Sequence, residues 1–392
     1  MFRERNERDC VELPLVAVSQ KHGVMGKREL EAAEGRKLSG ENDDLSNYKR
    51  VEPGDIVYNK MRMWQGAVGM SGLRGIASPA YVVATPLQGL DSRFAAYLLK
   101  SIPYVFQSGL FSYGICDDQN SLRWEDFANL KTPIPPEREQ TRIANFLDEQ
   151  TARIDALIAE KGRLVERLEE LKRSRLGQIV TGGASVCRVP TGSKQWSSLP
   201  AGWKIGRVKH VAESFDSRRV PLNAEERAVR TGPYPYYGAS GPIDMVDDYI
   251  FDEPLVLVGE DGANLLNRAT PLAFVATGRY WVNNHAHILR PRDGLVRYWA
   301  YMLDALDVSD WVTGAAQPKL TIEALMNLPV PIGPRDRLVE LEKSAIEAAE
   351  SLDTLIAHIG GHMERLREYR ASLISAAVTG QLDIDNCGRQ VA

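Results

Sequence analysis

The chain has 392 residues, 44% of them apolar and 26% charged, and a formal net charge of −4. That length supports two or three domains with cores of their own, and no apolar run is long enough to span a bilayer. The slightly negative balance excludes a surface basic all over, so any nucleic-acid-binding face must be local or completed by a partner.

In chain order, residues 1–130 read as a first globular segment. Short apolar runs at Asp55-Ile-Val-Tyr58 and Ala80-Tyr-Val-Val-Ala84, set between Gly, Pro and Ser, predict strands, and Phe94 to Leu99 predicts a short helix. Residues 131–183 predict a long helix with a proline lead-in. Residues 184–200 lack periodicity and are rich in Ser, Gly and Pro, which reads as a linker. Residues 201–328 form a second globular segment, with strands expected at Leu255–Val258, Ala273–Ala276 and Ala286–Leu289 and a helix at Arg297–Leu303. Residues 329–381 predict a second long helix, and 382–392 a tail. The mixture is α+β.

The two long runs are copies. A shift of 198 carries Leu130 onto Leu328, Pro133 onto Pro331, Asp155 onto Asp353, Leu157 onto Leu355, Arg167-Leu168 onto Arg365-Leu366 and Val180-Thr-Gly182 onto Val378-Thr-Gly380. Gln119, Leu122 and Asn129 fall on Gln317, Leu320 and Asn327 in the same register. Apolar residues three, four and seven apart give each run one stripe, with charges of both signs elsewhere. Such a helix cannot bury its stripe alone, and its copy is the obvious partner. The globular segments have diverged much further. A shared spacer carrying two diverged heads suggests two ligands, or two halves of one.

Catalytic signatures are missing. There is no G-x-x-x-x-G-K-[ST] loop, no G-x-G-x-x-G turn and no Asn/Asp-Pro-Pro-aromatic tetrad for holding a flipped adenine. His285 and His287 would share a strand face, but no third metal ligand is evident. Glu170-Leu-Lys172 lies inside an amphipathic helix and reads as solvated surface. The four cysteines, at 10, 116, 187 and 387, lack Cys-x-x-Cys spacing and read as reduced thiols of a cytoplasmic protein. The charged N-terminus is no signal peptide.

Each head carries a polar, aromatic set instead. The first has Asn59-Lys60-Met-Arg62-Met-Trp64-Gln65, then Tyr113, Gln119-Asn120 and Arg123. The second has Arg218-Arg219, Tyr234-Pro-Tyr-Tyr-Gly-Ala-Ser-Gly241, Asn283-Asn284-His285 and Thr313 to Lys319. Arg and Lys on loops suit phosphates and guanine edges, and Asn and Gln can pair with adenine. Taken singly, most of these residues would be polar loops and buried tyrosines; their repetition before two spacer helices argues otherwise.

At this point the chain resembles a specificity subunit of a type I restriction–modification system. The resemblance rests on Tyr234 to Gly241, Gly202-Trp-Lys204 and the Thr-Gly-x-x-Gln-Pro-Lys-Leu loop (313–320). It rests also on Pro53 to Arg62 and on Pro133-Ile-Pro-Pro-x-x-x-Gln140, and it covers nearly the whole chain. The resemblance implies two target-recognition domains, each reading half of a split site in double-stranded DNA. It implies two long helices packed as an antiparallel coiled coil that sets the gap, with an internal pseudo-two-fold axis. It also implies modification subunits that methylate adenine with S-adenosylmethionine and restriction subunits that use ATP and Mg, leaving this chain as a reader without cofactor, metal, catalytic group or membrane attachment. The expected DNA contacts are Lys60, Arg62, Gln65, Gln119 and Arg123 in the first head, and Arg219, Tyr236, Tyr237, Ser240, Gln317 and Lys319 in the second. The sequence departs from the pattern twice: Val11 to Ala17, read as the opening of the first head, lacks Gly-Trp, which leaves the completeness of the N-terminus open, and the second helix has Leu338 where the first has Gln140. Two other classes stay open: a self-contained nuclease or methyltransferase with a degenerate motif, and a coiled-coil adaptor.

Overall fold

The computed structural model describes residues 1–38, 44–114, 120–183, 187–314 and 317–384. Two compact units divide the chain: Met1–Gly162 with Gly361–Ala392, and Arg163–Gly360.

In the first unit, the strands are β1 (Phe2–Glu4), β2 (Leu15–Ser19), β3 (Gly23–Gly26), β4 (Lys49–Val51), β5 (Ile56–Asn59), β6 (Val68–Met70), β7 (Gly75–Ala77) and β8 (Tyr81–Pro86). They form two four-stranded sheets, ordered β1-β8-β5-β6 and β3-β2-β7-β4. In the second sheet β2 runs antiparallel to β3 and parallel to β7. The Pro53-Gly-Asp motif builds the turn into β5. Gly54 takes φ +91°, a left-handed value that disfavours a side chain. The Asp55 amide donates to the Glu52 carbonyl at 3.0 Å. The buried Asp55 carboxylate accepts from Arg5 Nε (2.8 Å), Thr85 Oγ1 (2.9 Å) and the Glu52 amide (2.8 Å). Helix Ser92–Lys100, capped by Asp91, buries Phe94, Ala95, Leu98 and Leu99. These share one core with Ile143, Ala144 and Leu147 of the first long helix and Leu373, Ile374 and Ala377 of the second.

The long helices run Glu137–Val180 and Arg335–Val378, 44 residues each, so both ends obey the 198-residue shift. Within the first unit they pack antiparallel. Asp155 meets Arg370 in a two-point ion pair (2.9 and 3.1 Å), and one heptad further along the first helix Gly162 faces Met363, one heptad back on the second.

The second unit opens on a correction. The stretch expected as a linker carries β9 (Arg188–Pro190) and β10 (Ser198–Pro200), paired antiparallel. Arg188 fastens this ribbon, donating to the Gly182 and Ser198 carbonyls, and Trp196 Nε1 donates to the Pro329 carbonyl at 3.0 Å. Strands of three residues are too short to leave a periodic signature.

Then come β11 (Lys204–Arg207), β12 (Ala212–Ser214), β13 (Tyr234–Gly238), β14 (Gly241–Val246), β15 (Phe251–Asp252), β16 (Leu255–Gly259), β17 (Ala273–Ala276), β18 (Arg279–Val282), β19 (Ala286–Pro291) and β20 (Pro329–Ile332). The sheets are ordered β12-β19-β16-β17 and β14-β13-β18-β15. Strand β13 is antiparallel to β14 and parallel to β18, as β2 is to β3 and β7. The heads therefore share one topology, with Phe2–Glu4 the counterpart of Ala212–Ser214. Strand β11 pairs with β20, and the Trp203 indole lies so close to Gly333 that a Cβ there would fall 2.5 Å from the ring. The Gly-Trp-Lys motif thus ties the second head to the lead-in of its helix. Helix Val296–Asp304 buries Tyr298, Trp299 and Met302 in one core with Leu176, Val180, Leu338 and Ala345. Lys172 pairs with Asp353, repeating by the 198-residue shift the Asp155–Arg370 pair.

Candidate nucleic-acid interface

In each head the loops at one end of the sheets are stitched together by the same backbone bonds. In the first, the Lys60 amide donates to the Ala80 carbonyl (3.1 Å), the Leu122 amide donates to the Lys60 carbonyl (2.9 Å), and Tyr113 bridges Ser121. In the second, the Glu260 amide donates to the His285 carbonyl (2.8 Å), the Leu320 amide donates to the Glu260 carbonyl (2.8 Å), and Thr313 bridges Lys319. Lys60 and Glu260 therefore occupy equivalent positions with opposite charge.

The first head gathers amides and cations around this junction. Gln20, at the β2–β3 hairpin tip, donates from Nε2 to Gln65 Oε1 at 2.6 Å, and Arg62 Nη1 reaches the same oxygen at 3.4 Å. Arg62 is exposed, and the exposed Arg123 lies over the Tyr113 ring at 4.9 Å. Lys60 is half-buried; burial, with Lys49 and Arg123 nearby, pulls its ammonium below the usual lysine range. Gln119 lies outside the described residues.

The second head is organised by carboxylates. Glu260 accepts from Arg219 Nη1 (2.6 Å) and pairs with Lys319 Nζ (3.0 Å). Asp216 pairs with Arg219 (3.2 Å) and with Nδ1 of the buried His287 (2.6 Å), whose Nε2 donates to the Leu320 carbonyl at 2.7 Å. Burial pushes the Asp216 and Glu260 carboxyls up. Hydrogen bonds from His287 to Asp216, and from Arg219 and Lys319 to Glu260, outweigh it and hold both below the usual carboxylate range.

Several expected contacts are thus spent inside the fold. Arg219 also donates to the Ala286 carbonyl at 3.0 Å, so its guanidinium ties three elements together. Tyr236 belongs to a strand, not a loop. It is 1% exposed, and its hydroxyl accepts from the Leu222 amide (2.9 Å) and donates to the Leu222 carbonyl. Tyr237 is half-buried against Phe274 and Tyr280. Ser240 at the β13–β14 tip and Gln317 are exposed and available, and Lys319 is exposed but paired with Glu260.

His285 and His287 do not form a pair. His285 is exposed and its Nδ1 meets Asp261 Oδ2 at 2.8 Å, whereas His287 lies inside β19. Asp216, Glu260 and His287 bring one ligand atom each within 4.8 Å of one another. Their oxygens and ring nitrogens already serve Arg219, Lys319, each other and Leu320, which accounts for the cluster by charge balance.

Sequence reasoning missed Gln20 and the acidic pair Glu260-Asp261. A search for cations and amides passes over the carboxylates that hold them. The one available signal was an acidic pair one glycine after the fully apolar run Leu255–Val258.

Residues 200–357 match the family described as the type I restriction modification DNA specificity domain. A chain from a solved structure on complex assembly and conformational transition of the type I restriction–modification system superposes with TM-score 0.65. It covers 96% of this chain and 95% of that one at 14% identity, a likeness of fold. Residues 200–357 therefore belong to the type I restriction–modification DNA-specificity domain family. The MjaVIII specificity subunit of Methanocaldococcus jannaschii is 22% identical over 369 residues, 87% of this chain and 84% of that protein. A putative type I specificity subunit of Haemophilus influenzae is 32% identical over 143 residues, 36% of this chain and 35% of that relative. Among the described residues, no helix is long and apolar enough to cross a membrane.

Proposed function

We propose that the chain is the DNA-reading subunit of a type I restriction–modification complex in the cytoplasm. Each head reads one half of a split, asymmetric site in double-stranded DNA. The paired long helices fix the gap between the halves. Modification subunits supply S-adenosylmethionine-dependent adenine methylation, and restriction subunits supply ATP- and Mg-dependent cleavage. The domains divide as residues 1–130 and 201–328 for the two readers and 131–183 and 329–381 for the spacers.

One observation carries this reading. The heads share a strand order and a loop-stitching pattern, yet the junction holds Lys60 in one and Glu260 in the other. A common frame with different polar groups at its loop end is what two readers of different sequences require. Phosphate contacts from Arg62 and Arg123 would position the duplex, and Lys319 together with amides and hydroxyls such as Gln65, Gln317 and Ser240 would meet base edges.

The test is selection from a randomised duplex library by the chain in complex with its modification subunit. Two enriched half-sites at one fixed gap, with affinity falling steeply with salt, are expected. Enrichment of a single ungapped element, or none, would refute the reading.

A further inference from the structure

The first head contains a cavity of about 680 Å³ between β2, the loop after β5, the start of β8 and the helix Lys27–Glu34. That is well within the 300–1,000 Å³ typical of small-molecule sites. We propose that this cavity binds a single nucleotide, a planar base bearing a phosphate.

The lining chemistry carries the assignment. Lys27, Arg36 and Arg62 line the cavity, and no carboxylate does among the described residues. A hydrated gap between two sheets has no reason to collect one sign of charge, whereas a phosphate does. Arg36 shares its guanidinium with Glu34, which lies outside the lining, while Arg62 is held only loosely by Gln65. Trp64 supplies a partly exposed aromatic wall suited to stacking on a base of any identity. Its indole N–H is already engaged by the Met61 carbonyl at 3.0 Å, which fixes the ring.

Two amides complete the site. Asn59 Oδ1 accepts from the Met61 amide, and Gln65 Oε1 from Gln20. Both residues therefore offer their NH2 side, matched to the ring-nitrogen and carbonyl acceptors of a base edge. In the second head the position equivalent to Lys60, which in the first head lies between the lining residues Asn59 and Met61, carries the Glu260 carboxylate. The site belongs to the first head.

The nucleotide has two possible sources: a free mononucleotide, or an unpaired base in DNA. Only the second rests on the DNA-reading role proposed above. The experiment uses the full chain with its modification subunit and two probes. Deoxymononucleotides are titrated against Trp64 emission, taken as the difference between wild type and Trp64→Phe. A duplex bearing one bulged 2-aminopurine reports base capture, and a dye at its far end reports DNA binding independently by anisotropy.

Saturable mononucleotide quenching, weakened about tenfold or more by Arg62→Ala, supports the free source. Shielding of 2-aminopurine from acrylamide, lost in Trp64→Ala while anisotropy still reports binding, supports the DNA source. DNA binding with neither response overturns the cavity assignment and leaves the reader role standing. Mononucleotide quenching without DNA binding does the reverse.

Discussion

Tyr236 shows how a residue chosen for its chemistry can serve packing instead. The alternation Tyr234-Pro-Tyr-Tyr puts Tyr236 on the inner face of β13, where its hydroxyl is the partner of both polar groups of Leu222. Tyr236→Phe should therefore destabilise the chain by about 1 kcal/mol, measured by chemical denaturation. It should leave the DNA motif unchanged. Lys319→Ala is the contrasting case: weakened discrimination at one half-site only, by about 1–3 kcal/mol in competition binding, as for a cation on a base edge. Asp216 and Glu260 give a pH signature. Their folded carboxyls titrate below their unfolded ones, so their stabilisation is present above the ordinary carboxylate range, about 4, and is lost as pH falls through it. Denaturation followed across acid pH should show stability declining there, with a shallower decline in Glu260→Gln. An unchanged slope in the variant would remove Glu260 from the account.

Gln140 belongs to the scale of elements. It is 1% exposed at the start of the first long helix. Its Oε1 accepts from the Asp91 amide (2.9 Å), and its Nε2 donates to the Gly89 (3.0 Å) and Pro135 (2.8 Å) carbonyls. The second copy has Leu338 there, buried in an apolar core. The substitution that looked like a loss in sequence is a change of fastening, since head two is tied down by the β11–β20 pair and Trp203 on Gly333. Gln140→Leu should cost about 1–3 kcal/mol, because it strands one amide and two carbonyls. Arg370→Ala should cost less than about 1 kcal/mol, because the Asp155 pair is solvent-exposed. A melting comparison separates the two.

For the whole molecule, the duplication was the legible feature. The 198-residue register related both long helices to the residue, although each is shorter than the expected 131–183 and 329–381, because charged, gapless heptad-like runs diverge slowly enough to be seen by eye. The strands at Leu255–Val258 and Ala286–Leu289 were visible for a different reason: buried on both faces, they read as unbroken apolar runs. The shared topology of the heads was not legible. Its evidence is strand order and backbone bonding, and side chains as unlike as Lys60 and Glu260 fill the same place. The site was legible by residue type and not by role. Arg62, Ser240 and Lys319 face solvent, while Arg219 and Tyr236 hold the frame, a distinction made by long-range partners that no local pattern contains.

Under the proposed function, two frames of one design, filled differently, read two sequences at a set distance. The most direct test is to map methylated adenines by long-read sequencing in DNA from cells expressing the chain with its modification subunit. Wild type should give one split motif with a fixed gap, and Lys319→Ala should relax one half of it while the other half and the gap persist. Methylation at an ungapped motif, or relaxation of both halves by that one substitution, would contradict the account.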